Sequence, residues 1–181
     1  DYVARNKQEF LRNFYIKSRR ACEKALREGP AAWVLPASEP RPVEQAELIN
    51  LLRLHGVEVH RLTETGDYVV RMDQPYSRLA DMLLDTQYYS ATDPRPYDDT
   101  GWTLGAMKNV RTQRVTDKAI LSKPMAPLTE NAAARGVVID AANTKYYAIA
   151  HNTENALASF RFRFKDIEML AAEEAFSGMP A

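Results

Sequence analysis

A strand–helix–strand segment between Ala32 and Leu62 constrains this chain more than any other feature. Ala32-Trp33-Val34-Leu35 is an uninterrupted apolar run, as suits a strand buried on both faces. Residues 38–42, with Ser38, Pro40 and Pro42, predict a turn. Over residues 43–55, Ala46, Leu48, Ile49 and Leu52 recur at helical steps, and Gly56 stops the pattern. Val57, Val59 and Leu62 then predict a second strand. Two strands joined by a crossover helix within about 30 residues imply a right-handed βαβ unit with parallel strands. The expected fold class is α/β: a mostly parallel or mixed sheet flanked by helices, with a long helix at the N-terminus.

That N-terminal helix is read from Val3, Phe10, Leu11, Phe14, Tyr15, Ser18, Ala21, Cys22, Ala25 and Leu26, which form one apolar stripe at three- and four-residue steps. Gly29-Pro30 ends it. The predicted organisation is a linking or docking helix over residues 1–29 and an α/β domain over residues 30–181. Further along, residues 68–72 predict a strand. Residues 76–87 predict a helix that turns Leu79, Met82 and Leu83 to one side. Residues 90–101 read as a surface loop, residues 102–107 carry a weak ordered pattern, and residues 110–115 read as a short strand. Ala119-Ile120-Leu121 is a further apolar run, and Pro124 and Pro127 bracket an irregular crossing. Residues 137–139 and 146–149 predict two strands that pair as a hairpin across Asn143-Thr144. Residues 152–164 fit either period; Asn152-Thr153-Glu154 looks like a capped start and favours a helix. Residues 167–170 read as a last strand.

With 45 % hydrophobic residues the chain can bury a sizeable core. Its 24 Lys and Arg balance 24 Asp and Glu, so nucleic acid is not an expected partner, because phosphate binding needs a net basic face. No apolar run approaches the roughly 20 residues of a membrane span. Cys22, the single cysteine, excludes an internal disulfide and a Cys-rich zinc site, and its place on the helix stripe suits a packed thiol. The opening Asp1-Tyr2-Val3 reads as the start of a fragment of a longer chain.

No residue set spells a catalytic centre. His55 and Glu58 have a His-x-x-Glu spacing, with His60 near and His151 as a distant third ligand. Gly56 separates them, however, placing His55 on a helix end and Glu58 in a strand. The expectation is a cap and a surface residue, with no metal ligands. Ser38 lacks the Gly-x-Ser-x-Gly frame of a nucleophile elbow, and no glycine-rich loop precedes the helix at Val43 to cradle phosphate. The most unusual composition lies in the loop at Tyr97, Asp98, Asp99 and Trp102, which could line a polar ligand pocket or form an anchored turn. Asp140 with Asn143 reads as a turn.

The stretch Gly66-Asp67-Tyr68-Val69-Val70-Arg71-Met72-Asp73-Gln74-Pro75-Tyr76, followed by Leu79 and Leu83-Leu84, resembles the region after the catalytic domain of large bacterial zinc carboxypeptidase-like proteins, relatives of carboxypeptidase A. Pro96-Tyr97-Asp98-Asp99-Thr100-Gly101-Trp102-Thr103-Leu104 is similar to a later block of that region, and Ala32-Trp33-Val34-Leu35-Pro36-Ala37 fits its order. Between Leu62 and Gly66 this chain is shorter than the pattern. The resemblance implies a non-catalytic accessory domain whose partner is the catalytic domain of the same parent chain. Zinc and peptidase activity would sit in that catalytic domain, and no cofactor in this segment. It also implies an extracytoplasmic location. Some such proteins carry an accessory domain like a glutamine amidotransferase, but Cys22 in the opening helix does not match that nucleophile. The alternative is a binding module that captures a peptide or small ligand with the Tyr97–Trp102 loop.

Overall fold

The computed structural model describes residues 1–86, 90–94, 102–134, 136–139 and 144–174. Its sheet has five strands, β1 (Ala32–Leu35), β2 (His60–Leu62), β3 (Tyr68–Arg71), β4 (Gln113–Val115) and β5 (Met125–Pro127), in the order β4-β1-β3-β2-β5. Every neighbouring pair is antiparallel, with Val34 opposite Val69 and Arg61 opposite Tyr68. The mostly parallel sheet expected from the sequence is therefore corrected. β1 and β2 do run the same way, joined by helix α3 (Pro42–Leu54), but β3 lies between them and pairs with both.

The short link from β2 to β3 accounts for the antiparallel pairing of those two strands. A parallel return needs a dozen or more residues, whereas five residues here carry Thr65, Gly66 and Asp67 and make a hairpin. Gly66 takes a left-handed φ of 74°, and its carbonyl accepts from Arg61 Nε. Asp67 accepts from Thr65 Oγ1 and from the backbone N–H of Ala37 at 2.7 Å each, fixing the turn to the end of β1.

β1 alternates between two apolar layers. Trp33 and Leu35, with Val70 and Met72, face Leu48, Ile49 and Leu52 of α3, Ala80 and Leu84 of α4 (Ser77–Leu84), and Ala25 of α2 (Lys7–Arg27). Ala32, Val34, Val69 and Leu62 face Ile120, on a 3-10 turn over Lys118–Ser122. Full burial of each large side chain stabilises by about 1.5–3 kcal/mol, so the α3 face alone anchors the layer. The Trp33 indole N–H donates to Asp81 Oδ1 at 3.0 Å, which ties α4 to β1. Pro127 sits on the edge strand β5, the place in a sheet that tolerates a missing N–H.

The predicted opening helix is broken once. A short helix α1 (Tyr2–Arg5) ends at Asn6, whose side-chain amide donates to the Tyr2 carbonyl, and α2 follows. α2 ends at Arg27, before a left-handed Gly29. Only Ala21 and Ala25 of α2 are buried, while Phe10, Leu11, Phe14, Tyr15 and Leu26 are exposed.

Residues 102–107 contribute helix α5 (Leu104–Met107), and the predicted helix after Asn152 is α6 (Asn155–Arg163). The predicted hairpin of residues 137–139 and 146–149 does not form among the described residues: Val137, Val138, Ile139, Tyr146 and Ile149 lie exposed in irregular chain, and Asn143 is outside the described residues. Residues 167–170 are likewise irregular. None of these runs joins the sheet, whose edge strands are β4 and β5.

Candidate functional site

The densest buried polar cluster gathers where β1 runs into α3. Pro42 opens α3, and Arg41 before it supplies no side-chain cap. The missing acceptor comes from 111 residues away: Glu154 Oε1 accepts from the Val43 N–H at 2.7 Å. A carboxylate there also meets the positive end of the helix dipole. Asn152 donates to the Pro40 carbonyl, and Thr153 Oγ1 accepts from Arg41, so the start of α6 is strapped across the start of α3.

Two glutamates lie beneath this strap. Glu44 is 3 % exposed; its Oε1 accepts from Asn155 at 2.8 Å and its Oε2 lies 3.3 Å from Lys108 Nζ. Burial alone would raise the Glu44 carboxyl, but the Lys108 hydrogen bond and charge, with Asn155 and Arg41, outweigh it and hold the group below the usual glutamate range. Lys108 is raised in turn, chiefly by its hydrogen bond to Glu47. Glu39 accepts from the Arg41 N–H with one oxygen, and from the Arg111 N–H and Nε with the other. Arg111 also donates to the Ser38 carbonyl. Each oxygen of Glu39 and Glu44 thus has a protein donor. A general base has to be within reach of substrate, and both carboxylates are buried beneath their protein donors.

A second polar knot joins the chain just before β2 to the chain just after β3. Gln74 is buried; its Oε1 accepts from the Glu58 N–H at 2.7 Å, and its amide donates to the Glu58 and Arg71 carbonyls. Arg71 pairs with Asp73 at 2.7 Å. Nearby, Cys22 is partly buried, and burial followed by the charge of Asp73 raises its thiol, the opposite of what a thiolate nucleophile requires. His60 Nδ1 is buried with no hydrogen-bond partner among the described residues, and burial followed by Arg71 lowers its imidazole.

The residues singled out in the sequence are dispersed. His55 caps α3, His60 lies in β2, and His151 is exposed in the approach to α6. Among the described residues no three His, Cys, Asp or Glu side chains converge as metal ligands. Trp102 is partly buried just before α5; Tyr97, Asp98 and Asp99, predicted with it as a ligand loop, lie outside the described residues. A shallow cleft of about 250 Å³ runs beside Arg53, Gly56–Val59, Pro127 and Leu128, and a more open one of about 570 Å³ lies beside Arg161, Phe162 and Lys165.

Sequence reasoning missed Glu39, Glu44, Gln74, Lys108, Arg111 and Glu154. Their separations of 16 to 111 residues carry no local pattern. Glu44, as an acid in the first turn of a helix, and Glu154, in the capped start Asn152-Thr153-Glu154, each had a signal, and both signals are local and generic. Among the described residues, no helix is long and apolar enough to cross a membrane. In comparisons with known proteins, no family profile, no curated protein and no solved structure matches this chain.

Proposed function

We propose that this chain is a non-catalytic accessory domain of a zinc carboxypeptidase-like protein, packing against the catalytic domain and supporting its stability or substrate access. The zinc, the peptidase chemistry and an extracytoplasmic location belong to the parent protein on this reading. One observation carries it. The residues behind the resemblance are architectural: Gly66 makes the hairpin, Tyr68-Val69-Val70 form the central strand, and Gln74 clasps Glu58. Tyr76 packs beside Gly56, where an added Cβ would sit 3.4 Å from its ring. The buried charges serve the same end, each joining segments distant in sequence.

The test has two arms. The chain, with added zinc, is assayed on N-blocked peptides with free C-termini. It is then mixed with the catalytic domain of a bacterial zinc carboxypeptidase-like protein and followed by thermal unfolding. No hydrolysis in the first arm and a raised Tm of the catalytic domain in the second are expected. Hydrolysis abolished by a chelator would contradict a non-catalytic role. An unmoved Tm would remove the accessory role.

A further inference from the structure

α2 has 21 residues and so extends about 31 Å, far more than its two buried alanines need. Ala21 and Ala25 seat its C-terminal part on the body, where Ser77 Oγ donates to the Ala21 carbonyl at 3.2 Å. Seven residues are close to two helical turns, so Phe14 lies on the side of Ala21, and Leu11 and Ser18 on the side of Ala25. Phe14 and Leu11 are 67 % and 68 % exposed. The docked stripe therefore runs on past the body, uncovered and facing the same way. A flat bilayer on that face would meet the body first, because the body packs on that side. The covering surface has to stand beside the body.

Charge indicates what that surface is. Residues 1–20 hold six Lys and Arg against two acidic residues, although the whole chain is neutral. Two such helices laid together would oppose like charges. Residues 166–174 are the complement: Asp166, Glu168, Glu173 and Glu174 with no Lys or Arg, and with Ile167 and Leu170 exposed. The exposed rings Tyr2, Phe10, Phe14 and Tyr15 each offer on the order of 100 Å². With Leu11, the three rings on α2 make about 400 Å² per site, so two symmetric sites with their covering segments would bury about 1,600 Å², the size of a specific interface.

We propose that two copies of this chain form a reciprocal dimer, with the acidic segment 166–174 of each lying on the apolar and basic half of the other's α2. This inference is independent of the accessory role above. Sedimentation velocity over about a hundredfold range of concentration, at low and at about 0.5 M salt, tests it. A monomer–dimer equilibrium weakened by salt is expected. Phe14→Asp should weaken it at least about tenfold while leaving far-UV dichroism and Tm unchanged, since the ring is exposed. Glu173→Lys with Glu174→Lys should also weaken it, and adding Lys7→Glu with Lys17→Glu, the basic residues beside the Phe14 stripe, should restore it. A monomer at every concentration overturns the proposal, as does a dimer indifferent to Phe14→Asp, or a charge swap that fails to restore pairing. A monomer that floats with phosphatidylserine vesicles would transfer the face to a membrane instead.

Discussion

α3 and α2 both carry apolar stripes, yet α3 buries Leu48, Ile49 and Leu52 against the sheet, while the longer α2 buries only Ala21 and Ala25. The difference does not lie in the stripes. α3 is tethered at both ends by strands that enter one sheet, so its apolar face has to close on that sheet. Among the described elements α2 is followed by a strand of the sheet but not preceded by one, and its long side chains extend beyond the body. Periodicity reports which face of a helix is apolar. What covers that face is decided by connectivity.

The comparison is sharpened most by truncating the same kind of side chain in each helix. Leu52→Ala should cost about 2–5 kcal/mol of unfolding free energy in urea, because a fully buried side chain leaves a cavity. Leu11→Ala at micromolar concentration should stay within about 0.5 kcal/mol of the parent. Equal losses would mean that α2 is covered within a single chain. Next in size is Gln74→Ala, which leaves the Glu58 N–H and the Glu58 and Arg71 carbonyls without their partner and should cost about 2–3 kcal/mol. Gly66→Ala, at a φ of 74°, should cost about 1 kcal/mol and loosen exchange protection in the β2–β3 hairpin before it affects α3.

The smallest effect is a pH dependence at His60. Its imidazole is lowered by burial and by Arg71, so the unfolded chain binds more protons than the folded one at mildly acid pH. The stability contribution is complete above about pH 6.5 and is lost as pH falls from there through the folded value. Urea midpoints of the parent and of His60→Phe at pH 7.5 and pH 5.5 should show a shallower acid loss in the variant. Parallel losses would remove His60 as their source.

Much of the body was legible in the sequence. Ala32-Trp33-Val34-Leu35, α3 with its inward Leu48, Ile49 and Leu52, and Tyr68-Val69-Val70 all stand where their periods place them. Strand order was not legible from the crossover alone. The short link at Thr65-Gly66-Asp67 signals the antiparallel β2–β3 hairpin, but the place of β3 between β1 and β2 is not contained in it. The exposed runs at 137–139 and 146–149 have strand composition yet join no strand among the described residues, because local pattern gives a propensity and no pairing partner. The polar clusters were illegible for a related reason: Glu154 reaches α3 and Arg111 reaches Glu39 across 111 and 72 residues. Asn152-Thr153-Glu154 did read as a cap, yet Glu154 satisfies the first turn of α3 as well as standing at the start of α6.

The claim beneath these readings is that the buried charges hold segments together, and Glu44→Gln tests it most directly. The substitution keeps the shape, removes the charge facing Lys108 and Arg41, and is read as the unfolding free energy at neutral pH. A loss of about 2–3 kcal/mol is expected, below the range for a fully buried pair because Lys108 retains Glu47. A neutral or stabilising result would contradict the account, since that is how a residue kept for chemistry at the expense of stability behaves.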